Sequence, residues 1–311
     1  MFNLRNKKIY LAGHTGMLGS ALERKFRDLS YSFFSSEREN LDLRNQKMVD
    51  DFIRSERPEV IFLAAALVGG INANRSRPAE FLSDNLIIQH NIMNSALKHG
   101  VDKLVFYASS CSYPVNATQP LNVNSLMTGL PESTNQWYSV AKIAGIKMIE
   151  SFNQQYGTEY ISIIPTNAYG PGDNFDKNNS HVIPALIAKM HNAKIYQKKN
   201  IDLWGTGKPL REFIYIDDLA EASIFLVENY FKNTPINVGT GKEISIKELA
   251  SIVSEITGYE GSISFDESMP DGAMKKALDS SEILSMGWKP RVKLKQGIKE
   301  VYNNYFLNFY A

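Results

Sequence analysis

The first half of the chain alternates short apolar runs with amphipathic stretches. The apolar runs predict strands at 8–12, 31–36, 60–66, 103–108 and 160–164. Helical periodicity predicts helices between them at 20–29, 48–55, 84–99 and 138–156. The run at 60–66 is continuously apolar, which is typical of a parallel strand that is buried on both faces. The pattern therefore predicts the α/β class, with a Rossmann-type doubly wound parallel sheet.

The second half of the chain lacks this regular alternation. It predicts helices at 181–193 and 217–229, a strand at 211–215, a turn at 203–207 and a polar loop at 173–179. Ser245 and Glu248 have the spacing of a capping box, so a further helix should begin there and end near Gly258. We therefore predict a larger domain at 1–165 plus about 212–238, and a smaller α/β domain at about 166–211 plus 239–311.

A glycine-rich segment follows the first predicted strand and opens the first helix. Its glycines are Gly13, Gly16 and Gly19, in a Gly-x-x-Gly-x-x-Gly pattern. In this context the first glycine permits a tight turn, the second lets the backbone approach a pyrophosphate, and the third lets helix and strand pack closely. The segment predicts a dinucleotide site, against the alternative of a tight turn that binds no ligand.

The second predicted strand ends near Glu37 and Arg38, where a dinucleotide-binding fold recognises the ribose. An acidic side chain at this point accepts a hydrogen bond from the 2′-hydroxyl of NAD, whereas an arginine accommodates the 2′-phosphate of NADP. Both residue types are present, and the neighbouring serines can donate to a phosphate. We favour NADP; in the alternative interpretation both side chains are solvated surface charges.

The composition of the 311-residue chain argues against several classes of function. Lys and Arg number 34 and Asp and Glu 33, so the net charge of +1 predicts no nucleic-acid partner and no polybasic membrane contact. The longest apolar run, at 60–71, is shorter than the roughly 20 residues that span a bilayer. Cys111 is the single cysteine, which excludes an intramolecular disulfide and favours a reducing compartment. We expect a cytoplasmic protein whose partners are small molecules or copies of itself.

Two groups of residues are candidates for catalysis. Tyr138 and Lys142 are four residues apart at the start of a predicted helix, so both side chains lie on one face. A cation near a phenol favours the phenolate and makes tyrosine a usable acid or base at neutral pH. Ser109 and Cys111 follow the predicted strand at 103–108, at the sheet edge where ligands of this fold bind. The alternatives are a solvated helix face for the first pair and a core position for the cysteine.

With the three glycines, Ser109, Tyr138 and Lys142 in this order, the chain resembles the extended short-chain dehydrogenase/reductases that act on nucleotide sugars. Within them it resembles the GDP-L-fucose synthase family over nearly its whole length. The segments that carry this resemblance are 109–114, 138–145, 165–171, 174–175 and 181–184. The Ser-Ser-Cys segment and the later His-Val-Ile-Pro are its most specific parts.

The resemblance implies an NADPH-dependent enzyme that epimerises GDP-4-keto-6-deoxy-D-mannose at C3 and C5 and then reduces it at C4. Cys111 and His181 are similar to the family's base and acid for the epimerisation. A thiol with a pKa of about 8.5 and an imidazole with a pKa of about 6.5 suit proton transfer near neutral pH. Tyr138 would protonate the alkoxide formed at C4 and Ser109 would hydrogen-bond the carbonyl oxygen. Lys142 would hold the nicotinamide ribose and lower the pKa of the tyrosine.

The same resemblance implies that the larger domain binds NADP and the smaller one the GDP-sugar. The residues that it implies for NADP are Gly13, Thr15, Gly16, Met17, Leu18, Gly19, Arg38, Asp42, Leu43, Ala64, Ala65, Ala66, Tyr138, Lys142, Pro165 and Asn167. Those that it implies for the GDP-4-keto sugar are Ser110, Asn167, His181, Val182, Lys189, Trp204, Arg211 and Lys276. It implies no metal ligand, and it implies a homodimer formed by the helices at 84–99 and 138–156.

Three positions depart from the family's usual pattern. Lys189 and Thr15 stand where some members carry arginine, and Gly172 replaces a histidine near the substrate. The exact sugar and the preference between NADPH and NADH therefore stay open.

The alternative functions are of two kinds. Some keep the same fold: epimerisation and reduction, or C4 reduction, of a GDP-4-keto heptose or a colitose precursor, or else a dehydratase or a C4 epimerase. Dehydratases of this superfamily typically carry acidic residues after the catalytic Ser or Thr, and Ser110 and Cys111 supply none. The other kind is a non-catalytic nucleotide-sensing relative. Such proteins commonly lose the tyrosine or the lysine, and both are present here.

Overall fold

The computed structural model describes residues 2–176, 180–269 and 271–309. Its strands are β1 (Ile9–Ala12), β2 (Phe33–Phe34), β3 (Val60–Leu63), β4 (Lys103–Tyr107), β5 (Ile161–Pro165), β6 (Asn167–Tyr169), β7 (Asn200–Trp204), β8 (Leu210–Tyr215), β9 (Ile236–Val238), β10 (Glu243–Ser245), β11 (Ser262–Asp266) and β12 (Lys275–Lys276). Its helices are α1 (Met17–Asp28), α2 (Gln46–Glu56), α3 (Ile71–Ser76), α4 (Pro78–Lys98), α5 (Gln136–Tyr156), α6 (Val182–Ile195), α7 (Ile216–Asn229), α8 (Ile246–Thr257), α9 (Ser281–Ser285), α10 (Leu294–Glu300) and α11 (Leu307–Phe309). A π-helical segment, Val301–Phe306, joins the last two helices.

Six strands of the described chain form a parallel sheet in the order β2-β1-β3-β4-β5-β9. Every residue of β1, β3 and β4 is buried, because a parallel sheet is covered by helices on both faces. Helices α1 and α7 pack together on one face. Helices α2, α4 and α5 pack on the other. The predicted α/β class and its doubly wound parallel sheet are confirmed.

The remaining strands form two smaller sheets. β8 pairs with β6, β10 and β12, and β7 pairs with β11. Helices α6 and α8 pack together over these strands and share a third apolar core with the π-helical segment. The chain therefore enters the smaller sheets after β5 and returns through α7 and β9 to the central sheet. The domain boundaries themselves stay a prediction.

Several elements differ from their predicted bounds for physical reasons. Helix α4 begins at Pro78 rather than at 84, since proline is tolerated in the first turn of a helix, where its missing N–H is not needed. Strand β3 ends at Leu63, and the alanines at 64–66 continue as irregular backbone. The turn predicted at 203–207 overlaps the end of β7. The polar loop predicted at 173–179 extends outside the described residues at 177–179.

The capping box at the start of α8 is confirmed. Ser245 Oγ accepts a hydrogen bond from the Glu248 amide at 3.1 Å, and Glu248 Oε2 accepts one from the Ser245 amide at 3.0 Å. The helix ends at Gly258, whose φ of +70° is a left-handed conformation that glycine adopts without strain. Two reciprocal hydrogen bonds and a glycine stop thus fix this helix locally, before tertiary packing contributes.

None of the helices in the described ranges is long and apolar enough to cross a membrane.

Candidate active site

Ser109, Ser110 and Cys111 lie at the carboxyl end of β4, in the central sheet. Ser110–Ser112 form one turn of 3₁₀ helix, and Ser109 is its N-cap. Ser109 Oγ accepts a hydrogen bond from the Cys111 amide at 3.2 Å, so the serine and the cysteine are held in one turn. Ser110 is buried and Cys111 is half-buried. This is the sheet edge at which the sequence places the ligand.

The Cys111 sulfur has two donors. Asn135 Nδ2 lies 3.1 Å from Sγ, and Lys276 Nζ lies 3.4 Å from it. The resemblance implies that Lys276 binds the GDP end of the substrate. In the structure its ammonium group contacts the Cys111 thiol. The amide and the ammonium group therefore hold the sulfur in a polar environment at the end of β4.

Tyr138 and Lys142 lie in the first turns of α5. Lys142 is 4% exposed, and its Nζ donates to the Tyr107 carbonyl at 2.9 Å and lies 5.6 Å from the centroid of the Tyr138 ring. Burial lowers the pKa of Lys142 from its ordinary 10.5 to about 7. Tyr138 and Lys142 therefore lie on one face of α5, as predicted, and the Tyr107 carbonyl holds the ammonium group of Lys142 in place.

The expected lowering of the Tyr138 pKa is not found. Burial raises the pKa of the Tyr138 phenol well above its ordinary value, and the charge of Cys111 raises it further. Burial disfavours the charged form of an acid, and Lys142 is not among the causes of the Tyr138 shift, because that lysine is itself buried and its pKa is lowered. The phenol is thus a proton donor that keeps its proton until a negative charge develops beside it.

His181 is the N-cap of α6, and the predicted substrate residue Val182 is the first residue of that helix. The His181 Nδ1 lies 3.8 Å from Asp173 Oδ1, and about half of the His181 side chain is exposed. The Asp173 carboxylate raises the pKa of His181, and burial opposes this rise. Within the described residues, no hydrogen bond joins His181 to Cys111, so the two implied epimerisation residues belong to separate clusters.

A cavity of about 510 Å³ opens beside the glycine-rich turn between β1 and α1. Of the residues implied for NADP, those that line it are Gly13, Thr15, Gly16, Arg38, Asp42, Leu43, Ala64, Ala65 and Ala66. Those that do not line it are Met17, Leu18, Gly19, Tyr138, Lys142, Pro165 and Asn167. The cavity therefore lies beside the glycine-rich turn and the segment around Arg38 that is predicted to bind the ribose. Tyr138 and Lys142 lie outside it.

Two glycines of this turn are required by close packing. Gly13 has a φ of +87°, and a Cβ there would lie 2.6 Å from the Ala65 backbone. A Cβ on Gly19 would lie 2.0 Å from the Gly13 carbonyl oxygen. The turn thus brings the N-terminus of α1 against the end of β3, and amide groups at a helix N-terminus bind phosphate.

The charged residues around this cavity are mostly paired. His14 Nε2 lies 3.1 Å from Glu37 Oε1, and Arg44 bonds Asp42 at 2.7 Å, which lowers the pKa of Asp42 to about 2. Arg38 lines the cavity and makes no ion pair within the described residues. The guanidinium of Arg38 is therefore available for a phosphate, while Glu37 is engaged by the histidine.

The residues implied for the GDP end lie on the smaller sheets. Arg211 on β8 is paired in register with Lys276 on β12, and its Nη1 donates to the Ala273 carbonyl at 2.6 Å. Burial lowers the pKa of Arg211. Trp204, at the end of β7, is 66% exposed. The ammonium group of Lys189 contacts the carbonyl of Asp202, which also lies on β7.

Asn167, implied for both ligands, lies on β6, where its Nδ2 donates to the Glu212 carbonyl at 2.8 Å. Pro165 ends β5, two residues before it. The roles assigned to all these residues stay predictions. Within the described ranges there is no group of three or more His, Cys, Asp or Glu side chains that could hold a metal ion.

Residues 9–239 match the sequence model of the NAD-dependent epimerase/dehydratase family. The chain belongs to this family. The predicted resemblance to the extended short-chain dehydrogenase/reductases is therefore confirmed, together with the fold.

Individual relatives show which members of this family the chain resembles. The GDP-L-fucose synthase of Sinorhizobium fredii is 45% identical over 308 residues, which cover 99% of this chain and 98% of that protein. The GDP-L-colitose synthase of Yersinia pseudotuberculosis is 36% identical, covering 97% and 98%. The solved structure of MlghC, a GDP-mannoheptose C4 reductase from Campylobacter jejuni with NADP bound, is 40% identical, with a TM-score of 0.89 and coverage of 98% and 99%. The predicted resemblance to GDP-L-fucose synthases is confirmed.

Two residues of the site were missed from the sequence. Asn135 is at the N-cap of α5, where asparagine usually bonds the helix backbone, yet its side-chain amide donates to the Cys111 sulfur instead. Asp173 is 8% exposed and faces His181. Asn135 lies three residues before Tyr138 and Asp173 eight residues before His181, and neither spacing indicates a contact with the site.

Proposed function

We propose that the protein is a bifunctional enzyme that converts a GDP-4-keto-6-deoxy-D-mannose-type sugar to GDP-L-fucose. It does so by 3,5-epimerisation followed by NADPH-dependent reduction at C4. The observation that supports this most directly is the contact between Cys111 and the helix that carries Tyr138: Asn135, the N-cap of α5, donates to the Cys111 sulfur at 3.1 Å. A base suited to epimerisation and an acid suited to ketone reduction thus share one site.

The chemistry of a 4-keto sugar uses both residues. The ketone acidifies the protons at C3 and C5, so the Cys111 thiolate removes one and the resulting enolate is protonated on the opposite face by His181. Ser109 hydrogen-bonds the ketone oxygen. At the reduction step Tyr138 gives its proton to the alkoxide that develops at C4, because an alkoxide is a stronger base than a phenolate.

The cofactor site supports NADP. The glycine-rich turn and the N-terminus of α1 would hold the pyrophosphate, and Arg38, which has no ion-pair partner in the described ranges, would hold the 2′-phosphate. Lys142 would hold the nicotinamide ribose. When bound, NADPH supplies the hydride at C4. The relative MlghC was solved with NADP, which supports the same assignment.

The substrate assignment is supported by GDP-L-fucose synthases at 45% identity over nearly the full chain. A second candidate is the same chemistry, or C4 reduction alone, on a GDP-4-keto heptose or a colitose precursor. It is supported by the 40% identity with the GDP-mannoheptose C4 reductase, by the 36% identity with the GDP-L-colitose synthase, and by Gly172, which stands where the GDP-L-fucose synthase family usually has histidine.

The partner and compartment are also part of this proposal. We infer a homodimer through α4 and α5, which is supported by large apolar side chains exposed on both helices. We also infer a cytoplasmic location, which is supported by the half-buried free thiol at Cys111, since such thiols persist in reducing compartments.

The deciding experiment is a panel of GDP-4-keto sugars, incubated in D₂O with the enzyme and either NADPH or NADH. Nucleotide oxidation is followed by absorbance, and product stereochemistry and deuterium at C3 and C5 are read by NMR. We expect GDP-L-fucose labelled at both carbons, with NADPH preferred. A reduced but unlabelled product that retains the substrate's C3 and C5 configuration would refute the epimerase assignment. A clear preference for a heptose substrate would favour the second candidate.

A further inference from the structure

Asp173 carries a buried charge that the proposed mechanism has not used. It lies in the loop between β6 and α6, and its side chain is 5% exposed. Oδ1 accepts a hydrogen bond from the Asn174 amide at 2.8 Å, whereas the buried Oδ2 has no hydrogen-bond partner within the described residues. A buried carboxylate oxygen without a partner is costly, so the position must satisfy another requirement. Among the described residues Asp173 pairs with His181, whose Nδ1 lies 3.8 Å from Oδ1.

His181 is in an unfavourable place for a positive charge. It is the N-cap of α6, a helix of 14 residues, and the positive end of a helix dipole disfavours an imidazolium. Partial burial of the ring also disfavours the charged form. The pKa of His181 is nevertheless raised, and the Asp173 carboxylate is the cause. The Asp173 carboxylate therefore outweighs the opposing effect of burial on the pKa of His181.

We propose that Asp173 is a positioning residue, which turns the Nδ1 edge of His181 toward itself and keeps the ring protonated at the start of α6. Nε2 is then the nitrogen that faces the substrate. In the proton transfer the Nε2–H bond breaks, its electron pair stays on nitrogen, and the enolate's electron pair forms the new C–H bond. The neutral ring retains its Nδ1 proton toward Asp173. The role of His181 as an acid rests on the proposed function; its pairing with Asp173 does not.

The pairing is tested by NMR titration of the histidine rings in the cofactor-free full-length chain. The chain has five histidines, and the His181→Asn variant identifies the signal of interest. We expect the wild-type pKa of His181 above the ordinary 6.5, and a lower pKa in Asp173→Asn. Asparagine keeps the acceptor for the Asn174 amide, so the loop should fold. A wild-type pKa at or below 6.5, or the same pKa in both proteins, would overturn the proposal.

A matched control removes a different acid that faces a different histidine. Asp50 Oδ1 lies 2.8 Å from His99 Nε2, between α2 and the end of α4. Asp50→Asn should leave the His181 titration unchanged. If it moved the His181 signal as much as Asp173→Asn does, the effect would be a general change of charge and the pairing would be refuted. The wild-type value tests the proposal even if a variant folds poorly.

The consequence for catalysis is tested by the pH dependence of deuterium entry at C3 and C5. Asp173→Asn should lower that rate roughly 10- to 100-fold near neutral pH and move the profile toward acid, a smaller loss than the roughly 100- to 10,000-fold that general acid–base catalysis supplies in full, because the imidazole itself is retained. The variant should recover part of its rate below pH 6, where the ring regains its proton. If the pH profile of deuterium entry did not shift in Asp173→Asn, Asp173 would have only a structural role. Absence of deuterium entry in the wild type would instead refute the proposed function and leave the titration result standing.

Discussion

At the scale of single residues, the proposed mechanism assigns one proton transfer to Cys111 and another to Tyr138. Burial is the main cause of the raised pKa of Tyr138, and a negative charge on Cys111 adds to it. Once the sulfur has taken a proton from the sugar, that contribution to the Tyr138 pKa disappears. The phenol therefore becomes a better donor after epimerisation than before it, which fits a sequence in which reduction comes last.

The first prediction separates the two reactions by substitution. Cys111→Ser should block deuterium entry at C3 and C5 and leave reduction of the ketone possible, because a hydroxyl is too weakly acidic to act as the base. Tyr138→Phe should abolish oxidation of NADPH with GDP-4-keto-6-deoxymannose. The measurements are NMR in D₂O and nucleotide absorbance. Normal deuterium incorporation in Cys111→Ser would remove the cysteine from the mechanism.

The second prediction concerns the cation beside the thiol. Lys276→Met should slow alkylation of Cys111 by iodoacetamide severalfold at neutral pH, because the ammonium group lies 3.4 Å from the sulfur and attracts negative charge on the reacting atom. The chain has one cysteine, so incorporated label reports on Cys111 alone. Lys275→Met is the matched control, since Lys275 Nζ pairs with Glu243 at 3.0 Å instead. Equal slowing in both variants would show that the lysine acts only through net charge.

Residues named by a motif could be predicted from the sequence, and residues that act through a tertiary contact could not. Tyr138 and Lys142 share a face because of helical spacing, which the sequence contains. Asn135 contacts Cys111 only because α5 packs against the turn after β4. The rise in the Tyr138 pKa likewise depends on burial, which spacing does not specify.

At the scale of elements, α4 and α5 are the most extensively packed pair of helices on their face of the sheet. Both also expose large apolar side chains: Ile87 on α4 is 40% exposed, and Trp137 and Val140 on α5 are each 43% exposed. Exposed apolar groups on adjacent helices favour burial against a partner. Helices α4 and α5 therefore carry exposed apolar side chains that a four-helix dimer interface would bury.

The third prediction tests this interface. Ile87→Lys should convert a dimer into a monomer at micromolar concentration in sedimentation analysis, because a lysine at the centre of a helix interface must be desolvated. Leu29→Lys is the matched control, since Leu29 is 45% exposed at the end of α1 on the opposite face. A wild-type monomer under the same conditions would contradict the interface, as would dissociation caused equally by the control.

The long elements of the central sheet could be predicted from periodicity, whereas the short strands of the smaller sheets could not. β3 and β4 are fully buried and read as apolar runs. Strands β10 and β12 have three and two residues and depend on pairing with β8. A segment of two or three residues is too short to show a hydrophobic periodicity, so only its pairing with β8 defines it as a strand.

At the scale of the whole molecule, the site reduces the stability of the fold. Lys142 is buried at 4% exposure, with a backbone carbonyl and two aromatic rings as its contacts. A buried ammonium loses much of its hydration, which is why its pKa falls to about 7. Active sites commonly retain such groups at a cost in stability.

The last prediction uses the sign of that pKa shift. The unfolded chain holds the proton of Lys142 up to about pH 10.5, whereas the folded chain releases it near pH 7. Between these values the unfolded state binds more protons, so Lys142 makes the free energy of unfolding rise with pH, and its cost is greatest below pH 7. Lys142→Met should therefore be inactive yet more stable by roughly 1–3 kcal/mol at pH 7, since an apolar side chain of similar length removes a buried charge.

The measurement is denaturant unfolding of the wild type and both variants at several pH values from 6 to 10. Lys147→Met is the matched control, because Lys147 lies on the same helix but is largely solvated and pairs with Glu150 at 2.6 Å. The difference in unfolding free energy between Lys142→Met and the wild type should shrink as the pH rises, since the wild-type lysine becomes neutral in the fold. A difference that is constant with pH would mean that the lysine stays charged when buried. A destabilised Lys142→Met would mean that its contacts with the Tyr107 carbonyl and the neighbouring rings outweigh the cost of burying the charge.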